Sequence, residues 1–266
     1  MEQLRSKKGF ICDMDGVIYH GNKILPGVAE FLEWLHKENK EYLFLTNNSG
    51  YTPRELQQKL ARMGLDVPQE RFYTSALATA AFLKDQSPGC TVYAIGEAGL
   101  FNALYDAGIT MNDVDPDYVV IGEGKSYSLD TLTKATNLVR NGARLIGANS
   151  DLSGPIENGI APACGALVSP IELATGRRAY FCGKPNPLMM RTGLRLLNCH
   201  SAEAVMVGDR MDTDVISGLE SGMSTVLVLS GVTAREDLAT FGYRPTMVLD
   251  GVGEIPRLAR NNRRQL

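Results

Sequence analysis

The sequence predicts an α/β protein with a mostly parallel sheet, and three observations carry this prediction. Short runs of β-branched and apolar residues recur along the chain and are nearly continuous in hydrophobicity, as in strands covered on both faces. Helical patterns separate these runs, which indicates parallel pairing. The chain has 266 residues, 44% of them apolar and 21% charged, which is enough to build a real core. The predicted strands cover residues 9–13, 42–46, 91–95, 118–122, 144–148, 204–208, 225–229 and 246–250.

Helix boundaries are marked most clearly after the second predicted strand. Thr52 and Glu55 form a capping box there, Pro53 stands at the first helical position, and Gly64 follows the last turn. An apolar stripe predicts an earlier helix over 28–35. Further helices are predicted near 98–107, 129–140 and 213–222.

Composition excludes several classes of protein. The net charge is −3 and the pI is about 5.7, so no general basic field exists to gather nucleic acid or anionic lipid. No apolar run reaches membrane-spanning length, and the first ten residues lack the apolar segment of a signal peptide. The five cysteines are odd in number and contain no C-x-x-C pair, which argues against a disulfide framework or a structural zinc site. We therefore expect a cytoplasmic protein with reduced thiols and no nucleic-acid or membrane partner.

Two glycine-containing stretches resemble nucleotide-binding motifs only weakly. The stretch "GEAGL" at 96–100 lacks the G-x-G start of a dinucleotide-binding fingerprint. The stretch "GEGKS" at 122–126 ends like a phosphate-binding loop, but Val119 stands where that motif requires its first glycine. We interpret both as turns.

Two neighbouring carboxylates stand at the end of the first predicted strand. Asp13 and Asp15 follow it in "FICDMDGVIYHG", and residues two apart on an extended chain point to the same side. Two carboxylates that close resist ionising together unless a cation lies between them. The pair is therefore either part of a metal site or an ordinary acidic turn.

Polar residues stand at the carboxyl ends of four strand-like runs, which is where open α/β sheets bind ligands. Each stretch alone is an ordinary turn or loop. Together they supply a carboxylate nucleophile, an acid/base group, phosphate-holding groups, a lysine and oxygen ligands for a hard cation. The four are Asp13-Met-Asp15-Gly-Val, Thr46-Asn47-Asn48, Gly183-Lys184-Pro185, and Gly208-Asp209 with Asp214.

These stretches carry a family resemblance. The chain resembles phosphatases of the haloacid dehalogenase (HAD) superfamily, subfamily IIA, the NagD and 4-nitrophenylphosphatase branch. "DMDGVIY", "LTNN", "GKP" and "VGDRMDTD" match the four superfamily motifs in order, and "YTSALATAAFL" and "PACGAL" are similar to this branch in particular. The resemblance implies a Rossmann-like parallel-sheet core with a large inserted α/β cap domain.

The spacing of the motifs agrees with such an insertion. Thr46 and Lys184 lie 138 positions apart, whereas one crossover between parallel strands needs only a dozen or so residues. We predict a cap domain over 78–179 and a core formed by 1–77 and 180–266.

The resemblance implies a role for each motif residue. Asp13 would be the nucleophile that forms an aspartyl-phosphate, and Asp15 the general acid that protonates the leaving oxygen and then activates water. Thr46 and the amide of Asn47 would hold phosphoryl oxygens, and Lys184 would add positive charge. Gly16 would leave room beside the site and allow a tight turn.

Magnesium is the implied cofactor, because it prefers a few carboxylates, waters and a phosphate oxygen to a full protein cage. By resemblance, its ligands would be the Asp13 side chain, the Asp15 backbone carbonyl and Asp209. Asp214 would support this set through water or Lys184.

Specificity is predicted to lie in the loop at 148–165, where Asn149 and Asp151 could hydrogen-bond a sugar or base; the alternative is an ordinary solvent loop. The implied reaction is hydrolysis of small phosphate esters, either nucleoside monophosphates or sugar phosphates, with aryl phosphates as artificial substrates. A homodimer through the cap is a further expectation.

Two other functions stay open at this point. A phosphotransferase or mutase would use the same phospho-aspartate, and sequence separates it poorly from a hydrolase. A non-hydrolytic phosphoryl-accepting regulatory module needs neither a cap nor an acid at Asp15, so both features count against it.

Overall fold

The computed structural model describes residues 2–156 and 158–261. The chain divides into two compact units, each built from more than one segment. The first unit comprises Met1–Thr46, Gln57–Phe72 and Met190–Leu266, and the second comprises Asn47–Leu56 and Tyr73–Met189.

Strands and helices alternate along both units. The strands are β1 (Gly9–Cys12), β2 (Tyr19–His20), β3 (Lys23–Ile24), β4 (Glu41–Thr46), β5 (Phe72–Thr74), β6 (Thr91–Ile95), β7 (Thr110–Met111), β8 (Tyr118–Ile121), β9 (Arg144–Gly147), β10 (Ser153–Ile156), β11 (Gly159–Pro162), β12 (Tyr180–Phe181), β13 (Ala204–Gly208), β14 (Ser224–Val228) and β15 (Met247–Leu249). The helices are α1 (Glu2–Ser6), α2 (Val28–Lys37), α3 (Pro53–Arg62), α4 (Ser75–Gln86), α5 (Ala98–Asp106), α6 (Leu129–Arg140), α7 (Cys164–Thr175), α8 (Pro187–Leu196), α9 (Ile216–Glu220) and α10 (Glu254–Asn261).

The first unit contains most of a six-stranded sheet with the order β15-β14-β13-β1-β4-β5. The edge strand β5 crosses the unit boundary, because Phe72 belongs to the first unit and Tyr73 to the second. β1 pairs in parallel with β13 and β4, and β14 pairs in parallel with β13 and β15. β1 and β13 are buried along their whole length, which explains their continuous apolar sequence. Cys12 lies level with Val207 on one side and Phe44 on the other, so the residues that follow these three strands emerge at one edge.

Aromatic side chains fill the core of the first unit. The ring of Phe10 contacts that of Trp34 edge-on, with centroids 5.4 Å apart, and Phe31 stacks on Trp34 at 6.2 Å. All three are almost fully buried. Each such burial contributes on the order of 2–3 kcal/mol, and together they fix α2 against β1.

The second unit has its own parallel sheet, with the order β12-β9-β8-β6-β7. Alternate residues of its central strands point to opposite faces, as Val119 and Val120 show. Val120 packs in a cluster with residues of α4 and α5, and Val119 packs in another with residues of α6 and α7. The predicted α/β class and parallel pairing are therefore confirmed.

All eight predicted strands are present, and the capping box is confirmed. Thr52 N donates to Glu55 Oε2 at 2.8 Å, and Glu55 N donates to Thr52 Oγ1 at 3.2 Å. The helix predicted from residue 213 differs, because Met211–Val215 forms a π-helical turn before α9 begins.

Two features differ from expectation. The sequence at 148–165 is rich in Gly, Asn and Pro, which is typical of an irregular loop, yet β10 and β11 pair there as an antiparallel hairpin. The predicted cap at 78–179 lies within the second unit, which extends further, over Asn47–Leu56 and from Tyr73 to Met189. The pairing of β12 with β9 accounts for part of this difference, because it ties residues 180–181 to the second sheet.

The five cysteines are all free. Burial raises the pKa of the Cys12 thiol, and it raises those of Cys164 and Cys182 to about 12. Cys199 alone is partly exposed. Among residues 2–156 and 158–261, no helix is both long and apolar enough to cross a membrane.

Candidate active site

Three buried carboxylates form an acidic cluster in the first unit. Asp13, Asp209 and Asp214 each offer an oxygen, and these oxygens lie within 4.8 Å of one another. The three residues are 9%, 2% and 1% exposed. Side chains with this charge are rarely buried so deeply without a compensating partner.

The sheet register explains how these residues meet. Asp13 directly follows β1, and its N–H donates to Val207 O of β13 at 2.8 Å. Asp209 follows the last residue of β13. Asp214 comes from the π-helical turn that begins two residues later, and its Oδ2 accepts from Arg210 N at 3.1 Å.

A loop that follows β14 supports the cluster. Val232 N donates to Asp209 Oδ2 at 2.7 Å, and Ser230 Oγ donates to Gly16 O at 2.7 Å. This loop is not among the predicted site elements. The feature of the sequence that points to it is its position directly after a parallel strand, which is also where the other site residues lie.

Gly16 is required by two features of its surroundings. Its φ of 78° lies in the left-handed region that favours glycine. A Cβ at this position would stand 2.6 Å from Asp209 Oδ2 and 2.9 Å from Gly231 Cα. A side chain at this position would therefore collide with Asp209.

The donor set of the acidic cluster fits a hard divalent cation. Three carboxylates within 4.8 Å repel one another when ionised, and a cation bound between them relieves this repulsion. Hard cations such as Mg²⁺ and Ca²⁺ take oxygen ligands of this kind. The cluster does not include the Asp15 carboxylate.

Asp15 occupies a half-buried position near His20 and Lys59. Its Oδ1 lies 3.7 Å from His20 Nδ1, and Lys59 Nζ lies 3.9 Å from the ring centroid of neighbouring Tyr19. Burial raises the pKa of the Asp15 carboxyl, while the charges of Lys59 and His20 oppose that rise. Lys59, whose own pKa burial lowers, is a neighbour that the sequence analysis missed.

A second group of predicted residues lies together in the second unit, around Asn47. Asn47 Oδ1 accepts from Lys184 N at 2.8 Å, and Asn47 Nδ2 donates to Lys184 O at 3.1 Å. The same Nδ2 donates to Asp151 Oδ2 at 3.0 Å. Asn47 and Lys184 are 7% and 2% exposed, so this pairing fixes the backbone at a buried lysine.

Asn149 has a different position from the one predicted for it. It is fully buried, and its Nδ2 donates to Asn47 O at 2.6 Å and to Glu123 Oε1 at 3.0 Å. Its Oδ1 accepts from Asp151 N at 3.1 Å. Both the NH₂ group and the oxygen of its side-chain amide already form hydrogen bonds within the protein, so this geometry favours a structural role over contact with a leaving group. Asp151 is partly exposed.

Glu123 is a further residue that the sequence analysis missed, since it read "GEGKS" as a turn. Its Oε2 accepts from Ser49 N at 2.7 Å. Burial raises the pKa of Glu123 to about 7, although the hydrogen bonds from Ser49 and Asn149 act in the opposite direction.

Most of the predicted residues thus fall into two groups, and Asp15 and Thr46 belong to neither. Thr46 ends β4 in the first unit and is 7% exposed, and Asn47, the next residue, belongs to the second unit. The first unit brings together Asp13, Asp209 and Asp214, with Gly16 beside them. The second unit brings together Asn47, Asn149, Asp151 and Lys184.

Comparison with known proteins connects this geometry to a family. Residues 10–110 match a family described as "Haloacid dehalogenase-like hydrolase", and residues 181–255 match one described as "HAD-hyrolase-like". A dihydroxyacetone phosphatase from Corynebacterium glutamicum is 47% identical, covering 92% of this chain and 90% of its own length. The ribonucleotide monophosphatase NagD from Escherichia coli is 44% identical over 93% of this chain and 98% of its own.

Solved structures agree. A 4-nitrophenylphosphatase from Thermotoga maritima matches with a TM-score of 0.93 and 34% identity, covering 97% of this chain and 99% of that one. The chain therefore belongs to the haloacid dehalogenase-like hydrolases, in their NagD-like subfamily IIA, and is a phosphatase of small phosphorylated molecules.

Proposed function

We propose that this phosphatase is a magnesium-dependent phosphomonoesterase that works through an aspartyl-phosphate on Asp13. The observation that carries the proposal is the buried acidic cluster at the carboxyl ends of β1 and β13. Hydrolysis of phosphate monoesters is extremely slow without a catalyst, so the site must lower the barrier by on the order of 20 kcal/mol. Positioning and charge stabilisation supply most of such a reduction.

In the first step, an Asp13 carboxylate oxygen attacks phosphorus. The bond from phosphorus to the leaving oxygen breaks, and Asp15 gives its proton to that oxygen. The raised pKa of Asp15 supports this role, because a carboxyl that holds its proton more tightly is a better acid near neutral pH.

In the second step, the ionised Asp15 takes a proton from water, and the water oxygen attacks phosphorus. The bond between phosphorus and Asp13 breaks, which releases inorganic phosphate and restores the carboxylate. Dividing one difficult displacement into two is the advantage of a covalent intermediate.

The phosphoryl group is held by Thr46, the Asn47 amide and Lys184, with Gly16 leaving space beside it. Lys184 is a buried cation, and its backbone is fixed by one hydrogen bond that it donates to the Asn47 side chain and one that it accepts from it. A cation held in place before the substrate arrives costs no reorganisation during the reaction.

Magnesium would be held by the carboxylates of Asp13 and Asp209 and the backbone carbonyl of Asp15, with Asp214 supporting them. When bound, it supplies positive charge that stabilises the phosphoryl oxygens. The fit of the acidic cluster to a hard cation supports this assignment.

For substrates we propose nucleoside monophosphates or sugar phosphates, with aryl phosphates accepted artificially. The relatives named above act on a ribonucleotide monophosphate and on a phosphorylated triose, according to their names. Asp151, which is partly exposed, is retained as a candidate contact for the leaving group. Because these relatives are named phosphatases, hydrolysis is favoured over phosphoryl transfer to a second sugar.

The cellular setting is proposed with the chemistry. Five free cysteines support a reducing compartment such as the cytoplasm. A homodimer through the second unit stays a prediction, and light scattering coupled to size-exclusion chromatography measures it directly.

The test measures phosphate release from a panel of nucleoside monophosphates, sugar phosphates and 4-nitrophenyl phosphate, with Mg²⁺ and with chelator. Asp13→Asn should lose essentially all turnover while keeping its fold. Asp250→Asn, at an 84% exposed side chain, is the matched control and should behave as wild type. A hydroxylamine-sensitive phosphoenzyme should form on the wild type and on Asp250→Asn but not on Asp13→Asn; retained turnover in Asp13→Asn would refute the assignment.

A further inference from the structure

Glu123 joins two loops of the second unit through both oxygens of its carboxylate. Its Oε2 accepts from Ser49 N at 2.7 Å, in the loop that follows β4. Its Oε1 accepts from Asn149 Nδ2 at 3.0 Å, in the loop that follows β9. Glu123 N returns a hydrogen bond to Ser49 Oγ at 2.8 Å, so Ser49 is held from two sides.

These hydrogen bonds continue to the phosphate-holding residues. The second N–H of Asn149 Nδ2 donates to Asn47 O at 2.6 Å. Asn47 in turn accepts from Lys184 N at 2.8 Å and donates to Lys184 O at 3.1 Å. Glu123 therefore reaches Lys184 through Asn149 and Asn47, without touching the lysine itself.

Each oxygen of the Glu123 carboxyl group accepts from one of the two groups that face it. Both of them, the Ser49 N–H and the Asn149 amide, are donors. A carboxylate accepts on both oxygens, whereas a glutamine side chain of the same shape has one acceptor and one NH₂ group. With glutamine at position 123, its NH₂ group would face either the Ser49 N–H or the Asn149 amide. Two donors would then meet in a mostly buried place without an acceptor.

The packing around Ser49 leaves little freedom to adjust. A Cβ on Gly122, the residue before Glu123, would stand 2.9 Å from Ser49 Oγ. The Asn47 carbonyl also accepts from Ser75 Oγ, which anchors the same peptide from α4. The Asn47 peptide is therefore held by Ser75 and Asn149, and Glu123 fixes the Asn149 amide that makes the second of these contacts.

We propose that Glu123 is a positioning residue, which sets the Asn47 peptide and the Lys184 backbone in place before a phosphate arrives. The inference rests on the proposed function, in which Asn47 and Lys184 hold the phosphoryl group. Glu123 makes no contact with the reacting atoms in this scheme. Its contribution is to the affinity for the phosphoryl group that all substrates share.

The variant that tests this is Glu123→Gln, with Glu97→Gln as the matched control. Glu97 is also partly buried, and its Oε1 accepts from Lys125 N at 2.7 Å, in the same loop as Glu123. The side-chain oxygen of a glutamine can accept this hydrogen bond in place of Glu97 Oε1. Among the described residues, Glu97 forms no hydrogen bond with Ser49 or Asn149.

We expect Glu123→Gln to raise KM for a nucleoside monophosphate, a sugar phosphate and 4-nitrophenyl phosphate by the same factor, about 10-fold or more. The inhibition constant of inorganic phosphate should rise with it. Hydrogen exchange of residues 47–51 should become faster in the variant, and Glu97→Gln should match wild type in every measurement.

A merely structural role gives a different result. A smaller fraction of correctly folded enzyme lowers kcat and leaves KM and the phosphate inhibition constant unchanged, which would overturn the proposal. Unchanged exchange of residues 47–51 in a folded Glu123→Gln variant would also overturn it. If Glu123→Gln does not fold, Glu123→Asp, whose carboxylate has a shorter reach, is judged by the same criteria.

The two proposals fail separately. If Asp13→Asn keeps its turnover, the proposed function is wrong whatever Glu123→Gln does. If Asp13→Asn is inactive and Glu123→Gln has the wild-type KM, only the positioning role is wrong.

Discussion

The buried carboxyl of Glu123 predicts a specific dependence of stability on pH. Its pKa is raised from 4.5 to about 7 in the folded protein, chiefly by burial. The folded state therefore holds this proton more tightly than the unfolded chain does. The resulting stabilisation is complete below pH 4.5 and is lost as the pH rises through about 7.

The size of the effect follows from the shift. A change from 4.5 to about 7 corresponds to at most about 3 kcal/mol, at 1.36 kcal/mol for each pH unit. Solvent contact along part of the side chain reduces this, so we expect about 2 kcal/mol between pH 5 and pH 8. For a protein of this size that is a change in Tm of about 4–8 °C.

The assay compares wild type with Glu123→Gln in chelator at several pH values from 5 to 8. The stability difference, wild type minus variant, should fall by about 2 kcal/mol over this range. Other titrating groups are common to both proteins and cancel. The single tryptophan, Trp34, lies in the first unit, so its fluorescence reports that unit while circular dichroism reports both.

A direct titration decides the question independently. The carboxyl carbon of Glu123, assigned in ¹³C spectra by its absence from the variant, should titrate near pH 7. A midpoint near 4.5, together with a stability difference that does not vary with pH, would refute the reasoning.

Three other substitutions test the first unit. Asp15→Asn should lower kcat by 10²-fold or more, because the leaving oxygen loses its proton donor, and unchanged turnover in steady-state assays would contradict that role. Asp209→Asn should weaken the Mg²⁺-dependent rise in Tm, measured by scanning fluorimetry from chelator to millimolar Mg²⁺; an undiminished rise would place the ion elsewhere. Gly16→Ala should destabilise the protein by about 1–3 kcal/mol in urea unfolding and abolish turnover, because φ is 78° at this position and the added Cβ would meet Asp209. A fully active variant would show that the loop adapts.

The eight strands that the sequence predicts correctly share one physical cause. Most of their residues are buried, as in β1, β8 and β13, so the runs are nearly continuous in apolar residues. The strands that were not predicted are short or lie at sheet edges, as with β7 at Thr110–Met111 and β12 at Tyr180–Phe181. A run of two residues carries too little hydrophobic pattern to be recognised.

Two helices of the second unit escaped prediction for a related reason. α4 and α7 are rich in small and apolar residues around much of their circumference, so no single stripe stands out. Pro170 inside α7 further argues against a helix when only the sequence is read. Hairpin β10–β11 was missed because its Gly and Pro content is typical of a loop, whereas local antiparallel pairing satisfies its backbone.

The candidate site was predictable where its residues follow predicted strands. Asp13 and Asp209 stand directly after β1 and β13, and parallel register brings them to one edge. Glu123 and Ser49 lie 74 positions apart, and nothing local distinguishes that glutamate from one in a solvated turn. Contacts of such separation depend on how the chain folds back, which a single sequence does not show.

The distribution of thiols makes this protein convenient to label. Burial raises the pKa of all five thiols, but only Cys12, Cys90, Cys164 and Cys182 are enclosed by the folded protein, so an alkylating reagent does not reach these four. Cys199, which is partly exposed, is then the position at which a fluorophore should attach to the native protein. After unfolding, all five thiols react. The average number of labels per chain therefore reports the unfolded fraction, and no engineered cysteine is needed.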